Sequence, residues 1–453
     1  MSYDLLVAGL FLSLLFYYGL SKTKRASSEE GYLLGSRRTS LFPLIATLVM
    51  TEFNTATLIS FSSMGYLSGV WALWFPAIFL IGLLFYAVTV ARKWKKYNGI
   101  SVAGYFSERY GKDIGRMASG ALLVAMCGFS AAYVKSLALL FSPFFPELSL
   151  WGLSALLVAL VLVMMVRGGL FSIIRTDLFS FVVVLCFFPI MAYFCYKTPV
   201  GVLSEPSMVL ERPSVSFVLP LIVLTMFTYI LAPWYGQKIF SARSRQVAYL
   251  SVVYAAVIVF FLYGLAVMAT WFFRKNGGVV PSAEQGFFIA MQTVLPPGLR
   301  GLGYAILFAA SATTLSGVWS AMSAMVIGDF LHYQEKNSRR RSMVLSVALA
   351  CFSYLLANLL VDRIFDQLIL ANIPIAALSF ALLAGFYWKG TSRVGVYCSM
   401  IVGWSIGIGS YLFFEGGGRY IWVWVMWGIP AIFLSGYVGS LLFPNQQVTQ
   451  EFS

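Results

Sequence analysis

Histidine is almost missing from this chain of 453 residues, with His332 the only one. That count excludes a metal centre built on several imidazoles and leaves one candidate for a histidine general base, in a basic stretch away from other reactive groups. Charge is scarce as well: Asp, Glu, Lys and Arg make up 11% of the chain, against about 25% in a soluble domain. The five cysteines, Cys127, Cys186, Cys195, Cys351 and Cys398, fall in or at the ends of apolar stretches without metal-type spacing and read as small hydrophobes. No polar linker is long enough to part the chain into separate soluble domains, so residues 1–443 are expected to form a single transmembrane domain, followed by a short tail at 444–453.

What is abundant is apolar surface. Hydrophobic residues make up 60% and the mean hydropathy is +0.84, a composition that belongs in a bilayer. A window of about 19 residues marks thirteen candidate spans, at 3–20, 41–66, 70–91, 114–141, 150–166, 176–196, 214–234, 247–273, 298–328, 342–361, 365–388, 394–414 and 420–443. The expected fold class is an all-α integral membrane protein. The first span lacks a basic leader and a small-residue cleavage site before Lys22, and reads as a retained helix. In a soluble protein a net charge of +14 would point to nucleic acid. Here the basic residues concentrate in alternate loops, such as Arg92 to Lys96 and Arg339 to Arg341, which sets the N-terminus outside and the C-terminus in the cytoplasm of a cell (inner or plasma) membrane.

Among the ionisable residues within spans, three stand out: Glu52, Lys135 and Asp177. Each costs roughly 2.5–3.5 kcal/mol at the bilayer centre, so each marks a pathway or a pair. A structural Glu52–Lys135 or Asp177–Lys135 ion pair is one reading. Glu52 lies in the polar run Met50-Thr51-Glu52-Phe53-Asn54-Thr55-Ala56-Thr57, which predicts a break in its span. A second interruption, Pro233-Trp234-Tyr235-Gly236-Gln237, comes five spans later, as inverted repeats around a midplane site require. Thr313-Thr314, with Ser311 and Ser316 nearby, places tandem hydroxyls in an apolar stretch. Such hydroxyls back-bond to the preceding turn or hydrogen-bond a neighbouring helix, or else they present oxygens to a small hard cation.

In order, several segments resemble the sodium/solute symporter family. They are Gly31-Tyr32-Leu33-Leu34-Gly35-Ser36-Arg37, Leu58 to Tyr66, Gly168-Gly169-Leu170 with Thr176-Asp177, Gln237 to Arg243, Ala309 to Asp329, and Phe386-Tyr387-Trp388-Lys389 with Arg393-Val394-Gly395. The resemblance implies a LeuT-type core of two inverted five-helix repeats, at 41–196 and 214–388, with one extra N-terminal and two extra C-terminal helices. It implies a sodium site formed by the carbonyls of Met50, Phe53 and Ala310 and the hydroxyls of Thr313 and Thr314. Some members hold a second sodium, which here points to Asp177, Thr313 and Ser316, although Gly317 and Ser180 stand where the family pattern has serine and glutamine. Substrate contacts carry over to Glu52, Asn54 and Thr57, and to Lys135 where sialic acid carriers of the family place an arginine. Glu52 is left with three roles: pairing with Lys135, binding an amine, or carrying a proton.

The expected activity is sodium-coupled uptake of a small polar solute, with a carboxylate as the partner Lys135 calls for, by alternating access. It is a transporter and not an enzyme, with sodium as the co-transported ion. The expected partners are the solute, sodium and the bilayer, with no nucleic acid and no obligate protein. A proton-coupled carrier using Glu52 or Asp177 is the rival reading, and a membrane sensor is the third. The third is disfavoured by the absence of an evident signalling domain.

Overall fold

The computed structural model describes residues 2–20, 37–97, 99, 101–142, 145, 147–166, 169–201, 212–331, 338–361, 364–414 and 418–444. His332, Lys22, Lys24, Arg25, Arg167, Lys336, the segment from Gly31 to Ser36, Gly168 and the tail after residue 444 lie outside the described residues.

Every long element among the described residues is a helix. That follows from the composition, because backbone in hydrocarbon must satisfy its hydrogen bonds within the segment. The helices run in the order α1 (Ser2–Leu20), α2 (Leu41–Glu52), α3 (Thr55–Ser68), α4 (Trp74–Tyr86), α5 (Arg92–Lys96), α6 (Gly104–Tyr110), α7 (Lys112–Phe141), α8 (Leu150–Val166), α9 (Gly169–Lys197) and α10 (Val215–Tyr229). They continue with α11 (Pro233–Phe240), α12 (Arg245–Lys275), α13 (Gly286–Val294), α14 (Leu299–Met325), α15 (Ser338–Leu359), α16 (Ile364–Leu370), α17 (Ile373–Ala376), α18 (Ser379–Tyr387), α19 (Arg393–Phe414), α20 (Gly418–Val423) and α21 (Ile429–Leu442). Short 3₁₀ and π segments join several of them. One parallel bridge, Thr39 with Ala242, is the single extended pairing among the described residues.

Among the described residues, eight helices are long and apolar enough to cross a membrane, and ten if each of two bent pairs counts as one span. The helices at Tyr3–Tyr18, Leu41–Glu52 and Leu150–Val163 are apolar but shorter.

Both predicted interruptions are present. α2 ends where Phe53 turns extended (φ −82°, ψ 93°), and α3 begins after Asn54, whose side chain accepts the Thr57 N–H at 2.9 Å. Asparagine is a strong helix N-cap because it satisfies an orphan amide that the helix itself cannot. α10 and α11 meet at 45° across Ile230, Leu231 and Ala232, and Pro233 opens α11 at the position where its missing N–H does no harm. A third bend, of 43°, separates Asp366–Ala376 from Ser379–Tyr387.

α14 forms the centre, and the apolar window of its span is wholly buried. Its small residues Ala309, Ala310 and Ala312 are buried, as suits close packing between membrane helices. α3 and α12 approach closely, and a Cβ on Gly65 would stand 2.5 Å from the Val267 carbonyl oxygen. A glycine is required there by contact, not by backbone angle.

Candidate ion and solute site

The break between α2 and α3 is held from three sides. Tyr263 on α12 donates its hydroxyl to the Glu52 carbonyl at 2.6 Å and accepts the Asn54 N–H at 3.2 Å. Ser311 on α14 accepts the Thr55 N–H at 3.3 Å, and the Thr55 hydroxyl lies 2.7 Å from both Ser311 and Ser136. Thr314 donates to the Met50 carbonyl at 3.1 Å and to Ala310 of its own helix at 2.9 Å, while Thr313 donates to Ala310 at 3.1 Å. The expected ion ligands Met50, Ala310, Thr313 and Thr314 therefore converge at one point between α2 and α14. Phe53 follows directly, at the end of α2, with its ring packed on Phe188 and Tyr263 at 4.7 and 4.9 Å. An oxygen-rich point at the C-terminal, partially negative end of α2 suits a cation.

One turn earlier on α2 stands a second polar cluster. Asp177 of α9 is fully buried, and its Oδ2 accepts the ammonium of Lys238 at 3.1 Å and the hydroxyl of Thr47. Lys238 is 1% exposed and also donates to the Thr47 carbonyl at 3.0 Å and to the Thr51 hydroxyl. Thr313 lies alongside the same carboxylate. Ser316 turns instead to the Ala312 carbonyl at 2.7 Å, so the fold joins two of the three expected second-site residues and adds a lysine. Asp177 Oδ1 and the Ser180 hydroxyl have no hydrogen-bond partner among the described residues.

Lys238 is a buried charge beyond the three that the sequence singled out. α11 is buried along its whole length, and the bend before it carries the lysine inward. The signal was faint: a basic residue directly after the Pro-Trp-Tyr-Gly-Gln interruption and before Ile239-Phe240.

Lys135 corrects the reading of the sequence. It is half-buried on α7, does not line the cavity beside the break and forms neither of the expected ion pairs among the described residues. The cause is angular. Tyr133 faces the cavity, and two residues further on a helix point roughly 200° away.

On the other side of the break lies a cavity with about 100 Å³ open to water-sized groups. Glu52, Asn54 and Thr57, with Ser60, Thr225, Thr228 and Asn372, supply its polar wall, and the rest is shared between aromatic rings and aliphatic side chains. Glu52 is 3% exposed; its Oε2 accepts the Tyr229 hydroxyl at 2.5 Å, and its Oε1 has no hydrogen-bond partner among the described residues. Glu52, Asn54 and Thr57 are thus brought together as expected. Tyr229, Trp234 and Tyr263 went unremarked as site residues, since nothing distinguishes a site tyrosine from the chain's 25 tyrosines in sequence alone.

No group of three or more metal-binding His, Cys, Asp or Glu occurs among the described residues. A search of curated proteins by sequence finds no match. Among solved structures, the chain is similar to a Na⁺-coupled sialic acid symporter in a substrate-bound outward-open state, with 17% identity, 99% of each chain covered and a TM-score of 0.82. It is similar also to Mhp1, a nucleobase-cation-symport-1 family transporter (13% identity, 94% and 96% covered, TM-score 0.64), and to MhsT in complex with L-phenylalanine (13% identity, 89% and 99% covered, TM-score 0.58). At such identities the likeness establishes a shared fold, that of LeuT-type transporters. The model of the sodium:solute symporter family matches residues 32–403, most of the chain, and so this protein belongs to that family of transporters, which are not enzymes and whose co-transported ion is sodium.

Proposed function

We propose that this protein imports a small solute by alternating access around the α2–α3 break, with one sodium ion bound by the carbonyls of Met50, Phe53 and Ala310 and the hydroxyls of Thr313 and Thr314. The observation that carries the reading is the Thr314 hydroxyl on the Met50 carbonyl at 3.1 Å. It joins the broken helix to α14 at the oxygens a cation would share. Sodium there ties α2 to α14 and favours the outward-open state; its release inward loosens that contact and frees the solute. Sodium moving down a membrane potential supplies about 2.3 kcal/mol per charge per 100 mV, enough to concentrate a neutral solute tens-fold.

The stoichiometry follows from Lys238. A second sodium at Asp177, Thr313 and Ser316 would sit beside an ammonium already bonded to that carboxylate, and two cations sharing one buried carboxylate repel. Lys238 is a tethered cation in the place of the second ion, and one sodium moves per cycle. The architecture in this reading is thirteen spans, with repeats at 41–196 and 214–388, N-terminus outside and C-terminus in the cytoplasm of the cell membrane.

Purified protein in proteoliposomes tests the reading, with solute uptake driven by a sodium gradient or a proton gradient at matched potential. Uptake that follows the proton gradient and ignores sodium overturns it in favour of a carrier coupled through Glu52 or Asp177.

A further inference from the structure

The chemical class of the solute is written into the cavity wall. Glu52 is the one formally charged side chain that lines it. A buried carboxylate oxygen without a partner forfeits its hydration for nothing unless a donor arrives. Tyr229 satisfies only Oε2, and the Trp234 indole adds a lesser favourable interaction to the same carboxylate. Lys238 acts on Glu52 only as a more distant charge, since its own hydrogen bonds go to Asp177, Thr47 and Thr51.

The opposite class, a carboxylate, has no matching receptor. The N-terminus of α3 would be the natural anion site next to this cavity, but three of its first four amides are taken. Asn54 N–H goes to Tyr263, Thr55 N–H to Ser311 and Thr57 N–H to the Asn54 side chain. Lys135 points elsewhere. Around Glu52 the wall is aromatic: Phe79 packs edge-on against Tyr229 at 5.4 Å, and Phe129 against Trp234 at 5.2 Å. An aromatic face turned to a bound group attracts a cation and disfavours an anion.

We infer that the cavity recognises an organic ammonium group, held by the free oxygen of Glu52 and flanked by Phe79, Phe129, Tyr229 and Trp234, on a solute whose remaining body is apolar or aromatic. The inference rests on the proposed transport role of this cavity. A carboxylate elsewhere on the solute is dispensable.

The test is a matched series sharing one body: phenethylamine, its N-trimethyl derivative, 2-phenylethanol and phenylacetate, with methylammonium and tetramethylammonium as bodies without a ring. Binding is read by thermal stabilisation of the purified protein, with and without sodium. At least one ammonium compound is expected to stabilise the protein while the alcohol and the carboxylate do not. Glu52→Gln is expected to weaken that binding roughly thirtyfold or more, the usual scale for removing one partner of a buried charge pair. Equal or stronger stabilisation by phenylacetate or phenylethanol overturns the inference, as does no response to any ammonium compound at millimolar concentration. If Glu52→Gln does not fold, the comparison between ligands in the unaltered protein decides alone. Ammonium binding that is unaffected by sodium leaves this inference standing and counts instead against the coupled-ion reading.

Discussion

The Lys238 ammonium reaches Asp177 Oδ2 at 3.1 Å and the Thr47 carbonyl at 3.0 Å, so one side chain on α11 closes onto both α9 and α2. Removing one partner of a buried pair leaves the other charge without compensation, which costs about 3–5 kcal/mol, whereas replacing both is near neutral. Lys238→Met alone and Asp177→Asn alone are each expected to lower the melting temperature and expression. The double variant is expected to recover most of the loss, giving a coupling energy of about 2 kcal/mol or more in a double-mutant cycle. Additive losses would show that the pair is not energetically joined.

In the proposed one-sodium cycle, the same pair takes the place of a second ion. In Lys238→Ala the ammonium is gone and Asp177 faces Thr313 with an open charge. Sodium is then expected to take its place, raising the measured charge-to-solute ratio by one and steepening the sodium dependence of uptake. An unchanged ratio in a variant that still transports would remove Lys238 from the ion balance.

At the proposed sodium site, Thr313→Ala and Thr314→Ala each delete one oxygen from a cation that needs several. Loss of about 1.4 kcal/mol, within the range for a hydrogen-bond-strength contact to a charge, corresponds to roughly tenfold. Each variant is therefore expected to raise the sodium concentration for half-maximal uptake about tenfold, with solute binding at saturating sodium retained. Thr314 should show the larger effect, because its hydroxyl also touches Met50 across the helix interface. Normal sodium dependence in both variants would place the ion elsewhere.

Much of this was legible before any coordinates. Glu52 and Asp177 announced themselves because a charge in an apolar stretch has no cheap explanation. The Asn54 break was signalled by a cluster of residues that cap helices and disfavour their interior. Lys238 was not legible, because its burial comes from a 45° bend and from the docking of α11 against α2, and a short basic stretch at the end of a span looks the same in solvent or in a core. Lys135 misled for the complementary reason: sequence located it in a span, but only the helix's rotation decides which face it occupies. The Tyr263 bridge across the break was hidden too, since hydrogen bonds between positions 211 residues apart leave no local pattern.

That bridge yields a prediction of its own. Tyr263→Phe keeps the ring contacts with Phe53 and Phe61 but removes the donor to Glu52 and the acceptor for Asn54. Leaving buried backbone groups unsatisfied costs about 1–3 kcal/mol. The variant is expected to melt earlier and to bind sodium more weakly, since the Met50 to Phe53 carbonyls lose their support. A rise in melting temperature would show that the hydroxyl is not needed at the break.

A wider opening of about 830 Å³ adjoins the solute cavity at Phe75, and Arg212 and Arg419 line it. Both arginines are solvent-exposed, so their fields act on approaching solutes and are screened by salt, while the buried carboxylate acts on bound ones. For an ammonium solute these charges slow entry without weakening the site. Neutralising both, in Arg212→Gln with Arg419→Gln, is expected to raise the initial uptake rate of a permeant amine at low ionic strength, with the advantage fading as salt approaches physiological strength. The half-saturating concentration should change little by comparison with Glu52→Gln. An anionic solute would respond with the opposite sign: the double neutralisation would slow its entry at low salt. The direction of this one rate change therefore reports the charge of the solute independently of any equilibrium binding measurement.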